Sequence, residues 1–116
     1  MIESARSARI VLTTAASPEE ADRIGRTLVE ERLAACATLI PAVQSIYEWK
    51  GNLETSSEAM LLLKTDSEQV SALEARLRQL HRYETPEFLV LGVESGSRDY
   101  LAWMFGGLGP AKNPES

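Results

Sequence analysis

Hydrophobic positions along the chain switch between the two-residue rhythm of a strand and the three-to-four-residue rhythm of a helix. Arg9 to Thr14, with Ile10, Val11 and Leu12 at its centre, reads as a short strand buried on both faces. Ser17-Pro18-Glu19-Glu20 follows. Ser17 suits an N-cap, Pro18 the first helical position, and Glu20 completes a capping box. Ala21, Ile24 and Leu28, with Gly25 and Val29, then repeat at helical spacing, so a helix is predicted from Pro18 to about Leu33.

Ala37 to Lys50 reads as a long extended segment, with a bulge or edge position at Pro41. Beyond Pro41, Val43, Ser45, Tyr47 and Trp49 share one face, and Gln44, Ile46 and Glu48 the other. Lys50-Gly51-Asn52 signals a turn, after which Leu53 to Thr65 returns and the two arms form a hairpin. Asp66-Ser67-Glu68-Gln69 repeats the capping logic ahead of a second apolar stripe, Val70, Leu73, Leu77 and Leu80. Thr85 precedes Pro86 and so belongs to a loop. Phe88 to Val93 is predicted as a further buried strand. Ser97 then opens a short helix through Tyr100, Leu101, Trp103, Met104 and Phe105, stopped by Gly106-Gly107.

The order β-α-β-β-α-β, with right-handed crossovers, makes an α+β fold, the ferredoxin-like split-βαβ sandwich. Its antiparallel sheet would carry both long helices on one face. One domain is expected over residues 1–107, with a disordered tail over 108–116. At 116 residues the chain is long enough to bury a core without staples.

Charge narrows the partners. A net charge of −5 and the lack of any Lys/Arg block argue against gripping a phosphate backbone. RNA binding on an open sheet would want central-strand aromatics and a positive field, and these strands are aliphatic. Cys36 is the single cysteine, so no intramolecular disulfide forms, which suits a reducing compartment. The opening Met-Ile-Glu-Ser-Ala-Arg-Ser has no apolar signal region, and no apolar run reaches the ~18 residues of a membrane span. A cytoplasmic location without membrane contact is expected.

Several ordered motifs resemble those of the CutA divalent-cation-tolerance family. They are Arg32-Leu33-Ala34-Ala35-Cys36 with Ile40-Pro41, Ser45-Ile46-Tyr47-Glu48-Trp49-Lys50-Gly51, Glu58 with Leu62-Leu63-Lys64-Thr65, His81-Arg82-Tyr83-Glu84-Thr85-Pro86-Glu87, and Tyr100-Leu101-Ala102-Trp103. The resemblance covers about Arg9 to Phe105. Arg82 stands where the family usually has proline, and Thr38 where it usually has asparagine; the first departure is expected to loosen the loop that carries His81. The resemblance implies a ferredoxin-like protomer in a stable trimer, tied to tolerance of divalent cations and of copper especially. It also implies an architectural likeness to the trimeric PII signalling proteins.

The chemistry of single residues adds candidates. Cys36 offers a soft thiolate for copper or zinc, or is simply a small buried hydrophobe. His81, the only histidine, offers imidazole beside the carboxylate of Glu84, or is a surface group at a helix end. One histidine and one carboxylate cannot saturate a site of ~4 ligands, so any Cu(II) or other divalent cation is expected to bind weakly. Lys64, Glu58, Tyr83 and Tyr100 are candidates for a polar cleft between subunits. Val43, Tyr47 and Trp49 give the hairpin an apolar face suited to a trimer interface. No nucleophile elbow, phosphate-cradling loop or Cys/His cluster is present, and a Cys36–His81 dyad is the one catalytic pairing conceivable. The reading is therefore a non-catalytic, metal-associated homotrimer. The alternative is a PII-like signalling module that binds a small anion at subunit clefts.

Overall fold

The structure, a computed structural model, describes residues 1–110 of the chain. In chain order its elements are β1 (Ile2–Ser4), β2 (Ala8–Ala15), α1 (Pro18–Glu30), β3 (Cys36–Trp49), β4 (Asn52–Asp66), α2 (Val70–Leu80), β5 (Leu89–Gly92), β6 (Ser95–Ser97) and α3 (Arg98–Gly106). Strands β3, β4, β2 and β5 lie side by side in that order, every neighbouring pair antiparallel. Each βαβ unit is thus split by a strand of the other, as the ferredoxin-like order requires. Between β2 and β4 the eight pairs from Ala8↔Asp66 to Ala15↔Ala59 set the register without interruption.

Helices cover one face of this sheet. Ala21, Ile24 and Leu28 of α1 and Leu73 and Leu77 of α2 pack with Val11, Ala15, Ala59, Leu61 and Leu63 in the main core. Gly25 lets α1 press close, since a Cβ there would meet that of Ala37 at 3.1 Å. A smaller core joins Ala5 and Ala8 to Leu101 and Met104 of α3. Nearby, β1 and β6 form a two-stranded ribbon that the sequence pattern does not announce.

Helix α1 starts as predicted. Ser17 Oγ accepts from the Glu20 N–H at 3.1 Å, with Pro18 in the first turn. It stops at Glu30, short of Leu33, because Arg32 takes a left-handed conformation, φ 62°. There the Leu33 N–H donates to Leu28 O and the Arg32 N–H to Val29 O, the paired bonds of a Schellman end. The Arg32 guanidinium then donates to Gly106 O and Leu108 O, tying this helix end to that of α3.

Pro41 sits in a bulge, as expected. Pairing steps from Ile40↔Met60 to Val43↔Glu58, so three positions of β3 span two of β4. The extra residue switches the side of β3 that faces away from the helices from even to odd positions. Beyond the bulge the hairpin projects, and the longest dimension of the chain is 52 Å. Its tip turns through Lys50 and Gly51, with φ 51° and 83°, the two positive values of a type I′ turn.

Two expectations are corrected. β5 is not buried: Leu89, Val90 and Leu91 are all exposed, because β5 is an edge strand. The tail expected to be disordered from Leu108 begins as an anchored segment. The Leu108 N–H donates to Phe105 O and the Gly109 N–H to Arg32 O. The rest of that expected tail, residues 111–116, lies outside the described residues.

Candidate functional site

The face of the sheet opposite the helices carries the candidate chemistry. Paired residues share a face, and positions alternate along each strand. Ile10 and Leu12 of β2, Met60 and Leu62 of β4, Ile40 of β3 and Leu89 and Leu91 of β5 therefore lie together on it. All are half-buried or exposed. The result is a continuous aliphatic surface with a polar group at each end.

At one end Cys36, Thr38 and Lys64 meet. Lys64 Nζ donates to Thr38 Oγ1 at 2.9 Å and approaches Cys36 Sγ at 3.6 Å. Cys36 is half-buried and also borders a groove of about 400 Å³ between α1 and β3, walled by Trp103.

At the other end stand Glu58, Tyr83, Tyr47 and Ser56. The Tyr83 hydroxyl donates to Glu58 Oε2 at 3.3 Å, and the Tyr47 and Ser56 hydroxyls are 2.8 Å apart. Burial, the charge of Glu58 and the hydrogen bond to it, in that order, raise the Tyr83 phenol above its ordinary titration range. Behind this surface His81 is buried, its ring 4.8 Å from that of Tyr83.

The expected cleft is thus divided within one chain. Glu58 and Tyr83 come together. Lys64 lies six positions along β4 from Glu58, about 20 Å away. Tyr100 is on α3, its ring packed 5.6 Å from that of Trp103. Val43 and Tyr47 share the open face with Glu58 and Ser56, and Trp49 is exposed at the hairpin tip.

One chain does not bring the expected metal trio of Cys36, His81 and Glu84 together. Cys36 is level with Lys64 and hence with Ile10 of β2, whereas His81 docks on the Thr14 carbonyl, four positions further along that strand. That offset alone is about 13 Å. Both ring nitrogens of His81 are engaged, Nε2 with Thr14 O at 2.6 Å and Nδ1 with the Tyr83 N–H at 3.0 Å. Glu84 is exposed, and its backbone carbonyl accepts from Arg78. Among the described residues no three His, Cys, Asp or Glu side chains stand close enough to share a metal ion. The same separation keeps Cys36 and His81 apart within one chain.

Glu20, expected to close the capping box, reaches back to Ala16 rather than Ser17 and also holds a distant loop. It is buried at the start of α1, where Oε1 accepts from the Ala16 N–H and Oε2 from the Arg82 N–H at 2.9 Å. A proline at position 82 has no N–H to offer. Arg82 therefore fastens the loop that it was expected to loosen. Thr38, the other departure, supplies the hydroxyl that holds Lys64.

The sequence profile described as "CutA1 divalent ion tolerance protein" matches residues 9–106, which is most of the chain and all of the four-stranded sheet's helix-bearing core. The chain belongs to this CutA1 family. A divalent-cation tolerance protein CutA from Pectobacterium atrosepticum is 46% identical over 95 residues, covering 82% of this chain and 86% of the relative. The mouse Protein CutA is 44% identical over 98 residues, and there the chain spans only 55% of the relative's length. The solved divalent cation tolerance protein (Cut A1) from Thermus thermophilus superposes with a TM-score of 0.85 at 40% identity, covering 88% of this chain and 99% of that one. These CutA likenesses give the alternative of an anion-binding signalling module no support. Among the described residues no helix is long and apolar enough to cross a membrane. A further solved relative, from Archaeoglobus fulgidus, is described as a periplasmic divalent cation tolerance protein CutA, so CutA membership does not by itself assign a compartment.

Proposed function

We propose that the protein is a non-catalytic homotrimer that serves divalent-cation tolerance and holds a divalent ion, copper among them, weakly. The observation that carries this reading is the uncovered aliphatic face of the sheet. Leu89 and Leu91 on one edge strand are 55% and 45% exposed in the single chain, and Ile40 on the opposite edge strand is 39% exposed. Contiguous apolar surface of this kind marks an interaction site. Its flanking strands, β3 and β5, also present unpaired edges. A closed ring of identical chains covers faces and edges together, and three is the number that the family resemblance implies.

Metal association rests on the net charge of −5 and the half-buried Cys36 thiol at the rim of that face. Lys64 donates to the sulfur and must be displaced before a cation ligates it, which favours weak binding. With no complete ligand set among the described residues of one chain, further donors come from a neighbouring subunit.

Sedimentation equilibrium combined with copper titration calorimetry tests both parts. The expected mass is three times the 12.8 kDa of one chain. Replacing Cys36→Ser should reduce copper affinity about tenfold or more while leaving the mass unchanged. A stable monomer would refute the assembly, and an unaltered isotherm would remove Cys36 from the metal site.

A further inference from the structure

The His81 ring has a single arrangement of protons that its partners allow. The Thr14 carbonyl can only accept, so Nε2, 2.6 Å away, carries the hydrogen. The Tyr83 amide can only donate, so Nδ1, 3.0 Å away, presents its lone pair. The imidazole is therefore neutral in this geometry, and its side chain is fully buried. A second proton has one place to go, Nδ1, and it cannot arrive there while the Tyr83 N–H occupies the lone pair.

A partner for the charged ring is already in place. Glu20 Oε2 lies 3.9 Å from Nδ1 and at present accepts from the Arg82 N–H at 2.9 Å. Protonation would turn Nδ1 from acceptor to donor, expel the Tyr83 N–H and draw the ring toward Glu20. Two consecutive backbone anchors of the loop, at residues 82 and 83, would then be lost or shared. The loop also carries the Tyr83 hydroxyl that reaches Glu58 on the open face.

Other charges around the ring are few and mostly in solvent. From α1, Arg23 donates to Leu80 O, the residue before His81. From α2, Arg78 donates to Glu84 O. The loop adds exposed Arg82 and the Tyr83 phenol, and β4 adds Glu58 through that phenol. On β2 the ring meets the Thr14 carbonyl. The buried carboxylate of Glu20 is thus the nearest charge.

We propose that His81 is a proton-operated latch on the 82–86 loop. In its neutral form it clamps Tyr83 against Glu58; protonated at Nδ1, it pairs with Glu20 and releases Tyr83 from the open face. Imidazole is the side chain suited to such a change between about pH 8 and about pH 5. All the residues of the latch belong to one chain.

Nitrogen-15 NMR of the full chain in its native assembly, followed from about pH 8 to about pH 5, tests this. Ring nitrogen shifts report the His81 tautomer and its protonation, and amide exchange reports the loop. The expected result is an Nε2–H tautomer at high pH. As the ring gains its second proton, the protection factor of the Tyr83 amide should fall about tenfold, while the amides of Val11 and Leu63 keep theirs. His81→Gln should abolish the pH dependence at Tyr83. Tyr83→Phe, which keeps the amide and loses the hydroxyl, should retain the amide transition and uncouple Glu58 from it. Protonation that leaves the Tyr83 amide unchanged would overturn the proposal. So would protonation that occurs only when Val11 and Leu63 also open, or a transition that persists in His81→Gln. Should His81→Gln fail to fold, the wild-type and Tyr83→Phe titrations decide the matter between them.

Discussion

The Tyr83 phenol is raised above its ordinary value, first by burial, then by the charge of Glu58 and the hydrogen bond to it, with smaller pushes from Glu20 and Tyr47. A raised phenol favours the neutral form in the folded state. Its contribution to stability is complete below the ordinary phenol range and is lost as pH rises through the higher folded value. Glu58→Gln removes the charge and keeps the shape. In that variant Tyr83 should ionise at lower pH than in the parent, yet still above an ordinary tyrosine, because burial is the larger cause. Ultraviolet titration of the phenolate band, with Tyr83→Phe to isolate the signal, measures this; identical curves for parent and variant would contradict it. At this scale the sequence was legible where a residue acts on its chain neighbours and opaque elsewhere. The cap at Ser17 could be read directly. The burial of His81 could not, since the Thr14 carbonyl that receives it is 67 positions away. The same holds for Glu20, whose second oxygen reaches Arg82 across 62 positions.

Elements were legible in proportion to the length of their pattern. Both long helices and the bulged hairpin follow from periodicity, a capping signal and one proline. The three-residue strands β1 and β6 do not, because Ile-Glu-Ser and Ser-Gly-Ser carry too little apolar or β-branched character to announce pairing. β5 is a strand as predicted but is exposed, since an apolar run reads the same whether or not its own chain covers it. The start of α2 departs more subtly. Asp66 Oδ1 accepts from the Glu68 and Gln69 N–H groups in a turn, and Gln69 makes no reciprocal side-chain bond. Helix α1 should therefore be the more sensitive of the two at its N-terminus. Ser17→Ala removes the acceptor for the Glu20 N–H and should cost about 1 kcal/mol in chemical denaturation, with the slope of the transition unchanged. Gln69→Ala, which removes no cap bond, should lie within about 0.5 kcal/mol of the parent. Equal losses in the two variants would mean that the side-chain cap does not set α1.

At the scale of the whole molecule, the open face decides what the single chain cannot satisfy alone. Ile10, Leu12, Met60 and Leu62 are partly covered by their strand neighbours, whereas Leu89 and Leu91 on the β5 edge stand out in solvent. This makes Leu91 a sensitive probe of assembly. In one chain Leu91 is 45% exposed, so an aspartate there would stay hydrated and leave the core of Val11, Leu61 and Leu63 untouched. In a trimer closed over this face, the same aspartate would be taken out of water. An uncompensated buried charge costs roughly 3–5 kcal/mol, and three copies incur that cost together. Leu91→Asp should therefore shift the equilibrium from trimer to a 12.8 kDa monomer at micromolar concentration. Its far-ultraviolet circular dichroism should still match the parent. Sedimentation equilibrium and dichroism on the same sample separate the outcomes. A folded monomer places the interface on the open face, and an intact trimer would show that the aliphatic surface is covered by something else.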